Sequence, residues 1–426
     1  MKNLSYLLLT ALLLLGCSTA EKPENIDPYL SGLLNKNDYF RLRDEVNKHG
    51  NLLPEDKRLY YLTHIKSAFF KGTESNEYAD ELLKSYGEKL NDSTLIELYN
   101  IKANNHLRAY EYEKAASSYS TILTKYSHGL DSAEIADYEN SKALFGALNK
   151  VNAQKMHLNK NTTIPGKRNQ FTHLMVPIRA GGINDEFIFD TGANLSTIAR
   201  SIADTLGFKI IEASIQVGSS TEHMVQSELA VADTLYLGDI LFENVVFLVL
   251  PDEQLSFPSI NYEIHGIIGF PVIYQMGEVR LSNDGSIFIP AHPVKKELNN
   301  LFMSGLTPIT KLITPDDTLL CNFDTGATST DLSVQYYQRH KQNIEQVGEL
   351  KKRQMGGAGG MTESEQYIIP DFKYTLGSKS GTIDSVAVHT MELKFMEGYD
   401  ANIGQDIITQ YDQLILNFKD MYIDFE

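Results

Sequence analysis

The chain has 426 residues, of which 42% are hydrophobic and 22% charged, with two cysteines and no tryptophan. This is the balance of a globular protein long enough for two or three domains. A formal net charge of −17 argues against the basic face that phosphate neutralisation needs, so no nucleic-acid partner is expected, and it argues equally against a polybasic membrane patch.

The chain opens with Lys2 and an apolar run from Leu7 to Leu15, then turns polar from Ser18 onward. A run this short cannot cross a bilayer as a permanent helix, which takes about 20 apolar residues, so it reads as a targeting segment and not as part of the fold. Its end, Leu14-Leu15-Gly16-Cys17, resembles the lipobox of bacterial lipoproteins. The resemblance implies a signal peptide over 1–17, lipidation of Cys17, and anchoring in the bacterial cell envelope. Ser18, standing where an Asp would favour inner-membrane retention, points to the outer membrane. With Cys17 lipidated, Cys321 is the one remaining thiol. No intramolecular disulfide can then form, and the fold must rest on buried apolar surface.

Residues 18–158 read as a helical domain. Leu59, Leu62, Ile65 and Phe69 recur at three- and four-residue spacing and make one helical face. Glu111-Tyr112-Glu113-Lys114-Ala115, followed by Tyr119 and Leu123, resembles the middle of a tetratricopeptide repeat, with a weaker echo at Tyr78-Ala79 36 residues earlier, by the separation of Ala79 and Ala115. Such a domain would recruit a protein partner or tether the rest of the chain near one. The polar, turn-rich stretch 159–170, with Pro165-Gly166, marks a boundary. Beyond it, alternating runs such as 174–178 and 186–189, separated by Gly181-Gly182 and similar turns, predict short strands.

The strand-rich region contains an internal repeat. Phe189-Asp190-Thr191-Gly192-Ala193 returns as Phe323-Asp324-Thr325-Gly326-Ala327 at an offset of 134, and Gly269 returns as Gly404 at an offset of 135. Ile273 and Ile408, and Leu281 and Leu416, keep the offset of 135. Two motifs that hold register across separate stretches predict two copies of one β unit, over 171–295 and 305–426.

Asp-Thr-Gly-Ala followed by a hydrophobic-hydrophobic-Gly element, present twice, resembles the clan of retropepsins and pepsins. The resemblance implies an α+β multidomain chain in which the helical domain precedes a bilobal, all-β acid-protease fold. It implies aspartic endopeptidase activity on peptide or protein substrates, without metal or organic cofactor, and it makes Asp190 and Asp324 the catalytic pair. Thr191 and Thr325 would bond across the lobe interface, and Gly192 and Gly326 would shape the turns. Glycine-bearing flaps are expected to cover the cleft, with candidates at Gly218 in the first copy and at Gly357 and Gly359 in the second. Asn402 departs from the pattern, because the first copy has an apolar residue at that position.

Two carboxyl groups about 3 Å apart repel by roughly 5 kcal/mol when both are ionised, at an effective dielectric of about 20. Such a pair holds one proton over a wide pH range and titrates as a unit. Ala193 and Ala327 lack the hydroxyl that Ser or Thr would offer the charged carboxylate, which predicts a mildly acidic to near-neutral working pH. A catalytically silent peptide-binding module and a helical-repeat assembly lipoprotein are the competing readings. Cys321 has no basic partner in sequence and reads as a small core residue.

Overall fold

The computed structural model describes residues 26–218, 224–357 and 360–426. Seven helices lead the described chain: α1 (Ile26–Asn35), α2 (Tyr39–His49), α3 (Glu55–Ala68), α4 (Gly72–Tyr86), α5 (Asp92–Arg108), α6 (Tyr112–Lys125) and α7 (Ser132–Ala147). Their starts are set by local chemistry. Asn91 accepts the Thr94 N–H at the head of α5, and Asp131 forms a capping box with Glu134 at the head of α7. Consecutive helices pack side by side from α3 to α7. Leu59, Ala79, Leu82 and Leu98 fill one seam of the stack, and Tyr112, Ala115, Tyr119 and Ile122 fill another.

The stretch after α7 is more structured than its polar composition predicts. Two short strands there, β1 (Lys155–His157) and β2 (Thr162–Ile164), lie on sheet edges of the β region, and the pair Lys167–Arg168 adds a third contact against Leu174 and Met175, so the connection is pinned at three points.

The first lobe contains β3 (Leu174–Ala180), β4 (Ile183–Phe189), β5 (Ser196–Ala199), β6 (Lys209–Gly218), β7 (Met224–Leu237), β8 (Ile240–Leu250) and β9 (Gly266–Ile268), followed by β10 (Glu278–Ser282) and β11 (Ile287–Ile289). The second contains β12 (Leu301–Ser304), β13 (Thr307–Ile313), β14 (Thr318–Phe323), β15 (Asp331–Leu332), β16 (Glu349–Gly357), β17 (Gly360–Leu376), β18 (Lys379–His389) and β19 (Ala401–Ile403), followed by β20 (Gln413–Asn417) and β21 (Tyr422–Phe425).

Both lobes close into the same ring. In lobe 1 the order is β3-β4-β9-β5-β8-β7 and back to β3; in lobe 2 it is β13-β14-β19-β15-β18-β17 and back to β13. Two pairings in each ring are parallel, β4–β9 and β5–β8 in one, β14–β19 and β15–β18 in the other. The hairpins β6–β7 and β16–β17 project from equivalent places. Closure removes the free edges that an open sheet would expose.

A five-stranded sheet, β2-β11-β10-β20-β21, joins the lobes. At its centre β10 and β20 run antiparallel, and Arg280 pairs with Ile415, its own counterpart 135 residues on. The flanking pairs, Val279 with Leu416 and Leu281 with Leu414, are arranged symmetrically about it. A local two-fold axis therefore passes through this register, and it is the operation that brings the two Asp-Thr-Gly turns face to face.

The helical domain lies across both lobes. Phe40 and Phe69 pack on Phe302 of β12, and Lys311 of β13 sits over the Phe40 ring at 4.2 Å. On the other side, Leu144, Phe145 and Leu148 share a core with Ile215, Leu229, Val231, Val246 and Leu248 of lobe 1. Arg108 is buried at the join, where Nε donates to the Gly305 carbonyl at 2.9 Å and Nη1 to the Ser67 carbonyl at 2.6 Å. These carbonyls supply the partners that a desolvated cation needs.

Candidate active site

Strand alternation places the two turns. In β4, Phe187 and Phe189 point into the lobe core, so Ile188 and then Asp190 take the opposite face. The Asp190 N–H donates to the Ile268 carbonyl at 3.0 Å, and the Asp324 N–H to the Ile403 carbonyl at 3.0 Å. Each turn is thus tied to the hydrophobic-hydrophobic-Gly strand of its own lobe. The closing glycines leave room for this approach. A Cβ on Gly269 would lie 2.6 Å from the Leu195 carbonyl carbon, and one on Gly404 would lie 2.5 Å from that of Ser329.

The lobes are locked by four crossed hydrogen bonds. Thr191 N–H donates to Thr325 Oγ1 and Thr325 N–H to Thr191 Oγ1, both at 3.0 Å. Thr191 Oγ1 donates to the Phe323 carbonyl at 2.8 Å, and Thr325 Oγ1 to the Phe189 carbonyl at 2.9 Å. Both threonines are fully buried, so every one of these groups depends on the other lobe for its partner.

Each turn glycine faces the opposite aspartate. A Cβ on Gly192 would lie 2.6 Å from Asp324 Oδ1, and one on Gly326 would lie 2.5 Å from Asp190 Oδ1. The carboxyl of Asp190 is within hydrogen-bonding reach of that of Asp324.

The pair is not electrostatically symmetric. Asp190 accepts from the Gly192 N–H at 2.7 Å. Asp324 accepts from the N–H groups of Gly326 at 2.8 Å and Ala327 at 3.1 Å, and also from Asn402 Nδ2 at 3.1 Å. Burial, and then the facing Asp324 carboxyl, hold Asp190 well above the usual carboxylate range, against a smaller opposing pull from the Gly192 and Ala193 N–H groups. Hydrogen bonds to a charged carboxylate favour that form. Within the pair, the shared proton is therefore favoured on Asp190. The donor that an Ala after Asp-Thr-Gly fails to provide is supplied to Asp324 by Asn402, the residue that breaks the repeat.

The other residues marked from the sequence fall in several places. Gly218 and Gly357 are the outer residues of β6 and β16, paired with Met224 and Gly360 near the hairpin ends. Gly359 and Cys17 lie outside the described residues. Next to the Gly218 pair, Val225 packs in one cluster with Ile188 and Ile267, which roots the lobe 1 hairpin beside Asp190. Cys321 is buried, and burial pushes its thiol up, away from nucleophilic use. Sequence reasoning passed over Asn322, Gln366 and His389, three buried polar side chains around the second cleft wall. Asn322 and His389 were legible as polar residues standing where lobe 1 has Ile188 and Leu250, whereas Gln366 stands where lobe 1 has the smaller polar Ser227. Among the described residues no group of three or more His, Cys, Asp or Glu is set to hold a metal ion. No described helix is long and apolar enough to cross a membrane.

Residues 176–272, which carry the first Asp-Thr-Gly and its closing glycine, match the aspartyl protease family model. No curated protein matches the sequence. Among solved structures, the crystal structure of Basic 7S globulin from soybean is similar at 9% identity, covering 63% of this chain and 95% of its own, with a TM-score of 0.40. The chain is a helical domain followed by a bilobal, aspartic-protease-like β fold.

Proposed function

We propose that the chain is an aspartic endopeptidase, anchored by lipid at Cys17 in a bacterial envelope, with Asp190 as acid and Asp324 as base. The crossed Thr191 and Thr325 bonds carry the reading, because they hold the two acidic turns face to face at the cleft floor. Asp324 takes a proton from a water lying between the carboxyls, and the water oxygen attacks the peptide carbonyl carbon. Asp190 gives its proton to the carbonyl oxygen, and a tetrahedral diol forms. As the C–N bond breaks, the proton on Asp324 passes to the leaving nitrogen and Asp190 regains one from a diol hydroxyl. No covalent intermediate is needed. The substrate would lie extended beneath the two hairpins, and the helical domain would bring a protein partner to the cleft.

The test is incubation of the lipidated full chain, in detergent, with a proteome-derived peptide library, alongside Asp190→Asn. Cleavage by the wild type that the variant lacks supports the reading. Equal products from both, or cleavage abolished by a chelator and restored by zinc, would overturn it. A separate fractionation of Cys17→Ser tests the anchor, since unchanged membrane partition would refute lipidation at that residue.

A further inference from the structure

The two walls of the cleft are built on one plan but lined with opposite chemistry. In lobe 1, Ile188, Val225, Leu250 and Ile267 belong to a single apolar cluster beside Asp190. Offsets taken from the repeat and from the hairpin registers give their lobe 2 counterparts. Ile188 maps to Asn322 with the offset of the aspartates, and Ile267 to Asn402 with that of the closing glycines. The β7–β8 and β17–β18 ladders superimpose with a constant offset of 139, as Leu237 with Ile240 and Leu376 with Lys379 show. Val225 therefore maps to Ser364 and Leu250 to His389, while Ser227 maps to Gln366. All four apolar positions have become polar.

These polar residues form one continuous patch. Asn322 pairs with Asn402 across β14–β19, Asn402 pairs with Asp331, and Asp331 Oδ1 lies 3.6 Å from His389 Nε2. His389 in turn pairs with Gln366. The patch begins at Asp324, which Asn402 touches, and reaches solvent at the half-buried Asp324 and Asp331. Several of its groups have nothing to bond. Among the described residues, Asn322 Oδ1, Gln366 Oε1 and both ring nitrogens of His389 lack a hydrogen-bond partner, on side chains that are 4%, 1% and 0% exposed. Folded chains rarely leave so many buried polar atoms unpaired in one place.

We infer that this patch is a recognition pocket for a neutral hydrogen-bonding side chain, Asn, Gln, Ser or Thr, on one side of the cleaved bond. The lobe 1 cluster would take an apolar side chain on the other side. The inference rests on the peptidase reading. Carboxamide groups fit because they can donate to the two amide oxygens and accept from whichever His389 nitrogen carries the proton, and hydroxyls fit by donating to one oxygen and accepting from that nitrogen. An acidic side chain does not fit, because Asp324 and Asp331 border the patch and would repel a further buried negative charge.

The experiment is a cleavage-site survey by mass spectrometry on the full chain, using peptides that vary only the two residues flanking the bond. An apolar residue on one side and Asn, Gln, Ser or Thr on the other should be favoured at least about tenfold in kcat/KM over apolar residues on both sides. Asn322→Ile combined with His389→Leu, which installs the lobe 1 residues, should reverse that preference, and Gln366→Ser alone should weaken it. Circular dichroism establishes that each variant is folded. Equal or faster cleavage by the wild type of peptides with apolar residues on both sides, or a preference unchanged in folded variants, overturns the inference and leaves the peptidase reading intact. An unchanged preference would mean that buried water alone answers these groups. If the wild type cleaves nothing, the peptidase reading fails, and fluorescence anisotropy with the same peptides decides the pocket separately. Tighter binding of the polar-flanked peptides sustains it, and equal binding overturns it.

Discussion

The two lobes share a strand order, an Asp-Thr-Gly turn and a closing glycine, yet they differ on both of their faces. Toward the cleft, lobe 1 presents isoleucine, valine and leucine where lobe 2 presents asparagine, serine and histidine. Away from the cleft, Val246 and Leu248 of lobe 1 are covered by the last helices of the helical domain. The corresponding strands of lobe 2, with Ser385 and Ala387, instead line an open hollow of about 770 Å³ shared with Lys351, Arg353 and Ile368. The parts that must meet across the two-fold axis stayed alike because each completes the other's hydrogen bonds. The parts lining the cleft or facing the helices differ because nothing in the opposite lobe depends on them.

The aspartates should show the largest effect. Asp190→Asn and Asp324→Asn are each expected to lower kcat by about 100-fold or more, since acid–base catalysis contributes on the order of 10²–10⁴. Retained activity in either variant would mean that the lobes are not catalytic equals.

The threonines test the symmetry of the lock. Thr191→Val and Thr325→Val each remove a hydroxyl that both donates and accepts across the interface. Each should cost about 2–3 kcal/mol of unfolding free energy, the scale of leaving buried groups unpaired. Chemical denaturation measures this, and clearly unequal losses would show that one lobe leans on the other.

The pH dependence of stability follows from the proton on Asp190. Its raised value means that the native state binds this proton more tightly than the unfolded chain does. The contribution to stability is therefore greatest at low pH, and it falls as pH rises from the ordinary carboxylate range through the raised value. Asp190→Asn should remove that decline, so the variant gains on the wild type as pH increases. Parallel stability–pH curves for the two proteins would contradict the assignment.

Asn402→Ile copies lobe 1 into lobe 2 at one position. Removing the donor on Asp324 makes its negative charge less favourable, so the acidic limb of the pH–rate profile should move toward higher pH, on the order of one unit. No shift in a folded, active variant would mean that the backbone donors alone decide which carboxylate is charged.

The smallest effect is expected at the lobe 1 hairpin. The Asn140 side chain of α7 accepts from the Gln216 N–H at 2.9 Å and donates to the Gln216 carbonyl at 2.7 Å, two residues before Gly218. Asn140→Ala should leave global stability within about 1 kcal/mol, because the pair is solvent-exposed. Hydrogen exchange at the 215–218 amides should quicken, while that at 352–357 in lobe 2 stays the same.

Much of this was decided within the sequence. The Asp-Thr-Gly turn and its closing glycine are local requirements, set by how tightly the backbone must bend or approach, so their repetition disclosed two lobes and one acidic pair. Strand alternation likewise settled which neighbours of Asp190 face the core. Asn402 was visible as an exception without a reason. Its meaning came from the strand pairing that carries its amide to Asp324, a residue 78 positions earlier. The polar patch has the same origin. Asn322, Gln366 and His389 are scattered along 68 residues, and only the ring closure of lobe 2 collects them into one patch between Asp324 and Asp331. Sequence fixes what each residue can bond; which residues are left with nothing to bond is a property of the folded arrangement alone.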